Sequence, residues 1–338
     1  MKNRDTKLCC VVFIVTMLLS LIYLGPSGAV AAPAAGGKPE VSELKIGLPD
    51  LDPNFLPNWA AEQRGYFKEE GIAEVKVIVF QGNAPVVQSL ASGTIDLCVA
   101  SLIGLVNTIN SGQKFKAFWA GYNMSDFVWY SVPKFKSIAE TKGGRYAVSR
   151  FGSLTDFLTR YALRKAGLNP EKDVTILQLG GQAQFLAAMA SNQVDVSILS
   201  LPNTYTAAER GYISVMSQKD LSPDYPTHVI YGKEDFIAKN PNALKAYVRA
   251  TTKAMGWLKA NPDEAAALIT KQLKYKAEHS RKAIDDLVHG WYPDGRLPVD
   301  GMKVFWDIAV QSGEVKEPWP NSRWLDDTFL KTQAEWRK

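Results

Sequence analysis

The sequence is short of the residues from which most enzyme sites are built. Histidine occurs three times in 338 residues, as His228, His279 and His289, and cysteine three times. His279 and His289 are ten positions apart, about 280° around a helix, so they share no face. No HExxH, GxSxG or Walker A motif is present, and no GxGxxG opens a helix. No catalytic residue, metal site or cofactor is therefore expected. Excess positive charge is also missing. Of the formal +5, +2 falls in the first 31 residues, and no segment interleaves clustered Lys or Arg with aromatics, which excludes a nucleic-acid partner. Low-complexity tracts are absent, with 46% hydrophobic and 22% charged residues and 25 Gly and 18 Pro spread along the chain. The length suits two ordinary globular domains at roughly 100–200 residues each.

What is present begins with the N-terminus. Met1 to Lys7 is basic, Leu8 to Leu24 carries no charge, and Ala29-Val30-Ala31 supplies small residues before a cleavage point ahead of Ala32. Residues 1–31 read as a cleaved signal peptide, with an uncleaved anchor, and hence a membrane-tethered sensor, as the alternative. Cys9 and Cys10 stand at the start of the apolar run, not after it as a lipoprotein would require. The exported chain keeps only Cys98, so a large core and no intramolecular disulfide must stabilise it.

The strongest pattern is a repeat. Shifted by 99 positions, Val75–Leu102 aligns without a gap on Val174–Leu201, with Gly82/Gly181, Asp96/Asp195 and Ser101/Ser200 among the identities. In each copy a β-rich run (VKVIVF, VTILQL) meets a Gly-containing turn, then a helix closed by Gly93 or Asn192, then a short apolar run. Upstream, LKIGLPD with its helix resembles RYAVSRF with its helix. Such alternation predicts βαβ units and a parallel sheet in each of two α/β lobes. Asp96 and Asp195 fall at strand starts and read as turn caps. FVWYSV suits a crossing strand and THVIYGKEDF the return, which makes lobe one 43–131 plus 229–338 and lobe two an insertion over 132–228, joined at a hinge. The remainder is helical and is expected to buttress lobe one, with Asn240 and Asn261 as N-caps before Pro241 and Pro262. Trp291, Trp306, Trp319, Trp324 and Trp336 read as packing residues.

Ligands of open α/β sheets bind beyond the carboxyl ends of the strands, at helix N-termini. That rule selects Asp50 and Asn54, Asn83 and Ser101 in lobe one, and Arg150, Gly152, Ser153, Thr155, Gln182 and Ser200 in lobe two. Ser101 and Ser200 either cap a helix or donate to a ligand, and Ser153 with Asp156 fits an S-x-x-D capping pattern. Arg150 carries the ligand reading: a guanidinium beside Gly152 and a helix N-terminus suits a sulfonate or carboxylate, against the alternative of a solvated arginine at a strand end. With Asp50 at the matching position of lobe one, a zwitterion is favoured if both face the cleft. Phe55, Trp59, Tyr122 and Phe151 either pack in the core, the usual duty of such residues, or offer an apolar wall, and His228 reads as a hydrogen-bonded structural histidine.

The stretches GYFKEEGIAEVKVIVFQGNAPVVQSLASGTIDLCVAS, YAVSRFGSLTDFLTRYALRKAGLNPEKDVTILQLGGQAQFLAAMASNQVDVSILSLP and FIAKNPNALKAYVRATTKAMGWLKANPDEA resemble the aliphatic sulfonate, taurine, nitrate and thiamine-pyrimidine group of ABC-importer substrate-binding proteins. The resemblance covers nearly everything after residue 43. It implies a type II periplasmic binding protein fold, a periplasmic monomer, a small-molecule ligand and delivery to an ABC permease in the inner membrane. It also implies that the loop Arg150–Thr155 and Ser101 line the pocket. The rival it leaves is an enzyme of the same fold, dehydratase-like or of a pyrimidine pathway. The Cys-rich motif of the fungal pyrimidine synthases is absent.

Overall fold

The computed structural model describes residues 37–337; the expected signal peptide, with Cys9 and Cys10, lies outside the described residues. Ten strands form two five-stranded sheets. The first contains β1 (Glu43–Leu48), β2 (Glu74–Val79), β3 (Leu97–Ser101) and β4 (Phe115–Tyr122), and the second β5 (Val128–Ser131), β6 (Arg145–Val148), β7 (Thr175–Gln178), β8 (Val196–Leu199) and β9 (Ile213–Ser217). The last strand, β10 (His228–Lys233), returns to the first sheet. The orders are β2-β1-β3-β10-β4 and β7-β6-β8-β5-β9. In each, the first three strands of the lobe run parallel, and one strand arriving from the other lobe inserts antiparallel beside the third. This is the two-lobed α/β arrangement of type II periplasmic binding proteins.

The repeat has the same physical content in both lobes. Asp96 accepts the Lys45 N–H at 2.8 Å, and Asp195 accepts the Arg145 N–H at 2.9 Å, so each carboxylate closes the open end of its sheet. Gly93 and Asn192 both take the left-handed conformation after their helices, with φ of 80° and 56°.

Two expectations need correction. Val128–Ser131 is not a crossing strand: it lies between β8 and β9 of the second sheet, with Trp129 buried and its indole N–H on the Thr159 hydroxyl at 3.0 Å. The chain therefore passes between sheets over 123–127, ahead of the boundary at 132, and returns over 218–227. The C-terminal helices also do not serve lobe one alone. Helix Pro241–Ala260 does, burying Leu244, Tyr247, Val248, Thr251, Met255 and Leu258 on one face. Helix Val299–Gln311 instead packs Phe305 against Phe157 of lobe two and Tyr225 of the return segment, with ring centroids 6.0 and 6.2 Å apart. Gly301 lets it approach, since a Cβ there would collide with the Asp224 carbonyl. The five tryptophans singled out above are all buried.

Asn240 and Asn261 precede their prolines but do not cap forward. Their Nδ2 groups donate back to Phe236 O and Trp257 O, each at 2.8 Å. One helix follows another directly, and the terminal carbonyls of the first take up the side chain.

Candidate functional site

The carboxyl ends of the parallel strands of both sheets border a cavity of about 70 Å³. Lobe one contributes Pro49, Asp50, Asp52 and Phe55 after β1, Gln81 to Asn83 after β2, Ser101 at the end of β3, and His228 from β10. Lobe two contributes Ser149, Ser153, Leu154 and Thr155 after β6, and Gly180 to Gln182 with Phe185 after β7. Phe127 comes from the crossing segment. A larger cavity, about 460 Å³, lies against the crossing segments and is lined by Asp126, Lys219 and Lys282 among others.

Of the residues selected from sequence, Asp50, Asn83, Ser101, Ser153, Thr155 and Gln182 line this cavity. Two more support it from behind. The Ser200 hydroxyl donates to Asp52 Oδ2 at 2.7 Å, across the lobes. Asn54 is buried, gives its backbone N–H to Asp52 Oδ1 at 2.8 Å, and gives its amide to Asp126 at 3.3 Å. The repeat diverges here: Ser101 caps its own helix through Gly104 N–H at 3.2 Å, while Ser200 joins the lobes.

Arg150 and Gly152 lie elsewhere. Both are exposed and border an outer groove with Val87 and Asn107, which adjoins the cavity at Asn83 and Ser153. At the bend after β6, Ser149 turns inward, its hydroxyl 2.9 Å from those of Ser153 and Thr155, while the Arg150 side chain lies against Gly82 and borders the outer groove. Arg150 makes one long contact, Nε to Gln81 O at 3.4 Å. Arg150→Ala is therefore expected to change the affinity for a cleft-bound solute by no more than about threefold by calorimetry, the scale of an exposed polar contact. A hundredfold loss would return Arg150 to the pocket. Phe151 is also exposed, whereas Trp59 and Tyr122 belong to the core and Phe55 alone of that set lines the cavity. Ser153 caps as expected, and Asp156 completes the turn through Gly152 N–H at 2.9 Å.

The residues that sequence reading missed are Asp52, His228, Ser149, Phe127 and Phe185. Asp52 had a signal, since DLDPN places two carboxylates at one strand end. Burial pushes its pKa up to about 8, with the neighbouring Asp126 adding to the rise, and burial also raises Asp50 and Asp126. His228 is not the hydrogen-bonded histidine expected. Its ring stands edge-on to Phe55 at 4.8 Å, its Nδ1 is buried without a partner, and burial lowers its pKa to about 3, so the imidazole is neutral. Neither Lys nor Arg lines the cavity among the described residues.

Beyond the cavity the lobes meet through helix Asn203–Glu209. Glu209 accepts from His279 Nε2 at 2.7 Å and Lys276 Nζ at 2.6 Å, and Asn203 bonds Tyr275 at 2.9 Å. Glu209, Glu278 and His279 cluster closely enough for a metal ion, but Lys276 already occupies one Glu209 oxygen.

The NMT1/THI5-like family model matches residues 52–265. A protein of Brucella abortus (strain 2308) that carries a binding-protein name, BAB2_1146, is 27% identical over 292 residues, covering 80% of this chain and 86% of its own. The nitrate/nitrite binding protein NrtA of Nostoc sp. (strain PCC 7120) is 25% identical over 280 residues, 74% of this chain and 62% of its own. The periplasmic aliphatic sulphonate binding protein SsuA of Escherichia coli superposes with a TM-score of 0.65 at 18% identity, over 84% of this chain and 91% of that one. At that identity the superposition establishes the fold alone.

Proposed function

We propose that this chain, which belongs to the NMT1/THI5-like family, is the exported solute-binding component of an ABC importer, holding one small solute between its two lobes and handing it to an inner-membrane permease. The observation that carries this reading is the composition of the cavity. Both lobes contribute strand-end loops to it, and among the described residues the backbone passes between the lobes twice, over the two crossing segments. Solute held there would make contacts with both lobes only when they are closed, which is how a hinge couples capture to a shape that a permease can read.

The relatives above carry the names of binding proteins, which supports transport over catalysis. The side chains agree in kind. Cys98 is the one thiol among the described residues, and it is buried in β3 with its pKa raised by burial, unlike a nucleophile. The expectation of an organic anion rested on helix N-termini and Arg150; two uncapped helix starts do meet the cavity, but among the described residues no basic side chain lines it.

Two measurements test the proposal. A solute that raises the melting temperature should also reduce the radius of gyration in X-ray scattering, with little change inside each lobe. An unchanged radius under saturating, confirmed solute would remove the hinge mechanism. Intact mass of protein from the periplasmic fraction should begin at Ala32, and retention of Met1–Ala31 would replace the soluble carrier with a tethered sensor.

A further inference from the structure

We infer that the cleft takes an organic cation, whose protonated nitrogen faces Asp50 and Asp52; this deepens, and rests on, the reading of the cleft as the solute site. Two carboxylates line the cavity and no Lys or Arg does, among the described residues. The other unsatisfied groups there also ask for donors. Asn83 Oδ1 and His228 Nδ1 are buried without a hydrogen-bond partner; the amide oxygen accepts, and the imidazole nitrogen accepts in the tautomer that carries its proton on Nε2. Phe55, Phe127 and Phe185 complete a wall whose ring faces attract cations.

The opposing effect is the positive end of each helix that starts at the cavity. Two of these ends are capped by the hydroxyls of Ser101 and Ser153. The helices after Gly82 and Gly181 have no side-chain cap and contribute roughly half a positive charge each. Against them stand two carboxylates, each of which carries a full negative charge once a cation lies between them. Burial pushes the Asp52 pKa up to about 8 and raises that of Asp50, so at pH 7.5 an incoming cation drives the proton off Asp52.

The test is titration calorimetry on the mature exported protein at pH 7.5, with agmatine, putrescine and benzamidine against ethanesulfonate, nitrate and taurine, in phosphate and in Tris. At least one of the three cations should bind, with apparent enthalpies that differ between buffers by the amount proton release dictates. Asp50→Asn should weaken that binding tenfold or more. Asp50 is the right position because its carboxylate bonds only the N–H of the adjacent Leu51, so its replacement leaves the fold alone, as a melting curve will verify. Binding of ethanesulfonate or nitrate that Asp50→Asn leaves unchanged or tightens would overturn the cation inference while leaving the solute-binding reading intact. Failure of all three cations would overturn it too. If, in addition, no solute of either charge altered the scattering, the solute-binding reading would fall with it.

Discussion

Glu70→Ala should lower the unfolding free energy by about 3–5 kcal/mol, the cost of leaving a buried cation without its partner. Arg249 on helix Pro241–Ala260 is 7% exposed at its side chain and Glu70 14%, and Nε lies 2.6 Å from Oε2. The same guanidinium donates to the Trp336 carbonyl at 3.2 Å, so one charge fastens the long helix to the C-terminal end of the chain. This helix also backs the loop that carries Asp52, through the Tyr247 hydroxyl on the Asn58 amide. Urea unfolding with an unchanged slope would read the loss as a lower midpoint. The double variant Glu70→Leu with Arg249→Met should recover most of it, since apolar side chains of similar volume often replace a buried pair without loss. A single variant within 1 kcal/mol of the parent would mean that water reaches the pair.

Stability of the solute-free protein should fall as pH rises from 6.5 to 8. Asp52 titrates near 3.8 in the unfolded chain and at about 8 when folded, so between those values the native state holds a proton that the unfolded state has lost. Unfolding then becomes easier with rising pH, by at most about 1.4 kcal/mol per unit, or ~2 kcal/mol over this interval. His228 works the other way. Its pKa falls from 6.5 to about 3 on burial, so its contribution increases stability from pH 3 to 6.5 and is complete above that. The two effects oppose one another below pH 6.5, and only the carboxylate remains above it. Asp50 and Asp126 are raised by burial as well, so above pH 3.8 their titration acts in the same direction as that of Asp52. Urea midpoints at pH 6.5 and 8 give the measurement, and Asp52→Asn should flatten the dependence. A parent protein that is equally stable at both values would place the Asp52 proton loss below pH 6.5.

The fold was legible because its evidence is local and occurs twice. Asp96 and Asp195 at strand starts, Gly93 and Asn192 after helices, and Ser153 before its helix each act within a few residues or across one adjacent strand, where sequence spacing and space agree. The placement of Val128–Ser131 was not legible. A four-residue strand reads the same whichever sheet receives it, and its partners in β8 and β9 are at least 65 and 82 residues distant. Helix Val299–Gln311 has the same ambiguity: its apolar face is visible in sequence, but the side chain it meets, Phe157, is not.

The sequence by itself determined two α/β lobes, the strand-end loops that meet between them, and the poverty of catalytic groups, because periodicity, caps and composition are properties of neighbouring residues. Tertiary structure alone decided which candidate residues meet in the cavity. Arg150 and Asp50 occupy matching positions of the repeat, yet Asp50 lines the cavity while Arg150 is exposed and lies against Gly82 at the outer groove. The same holds for Ser101 and Ser200, identical in the repeat, of which one closes its helix and the other binds Asp52 of the opposite lobe. Charge in a cleft depends on which side chains turn inward and how much water they lose, and both are set by the packing of segments far apart in the chain.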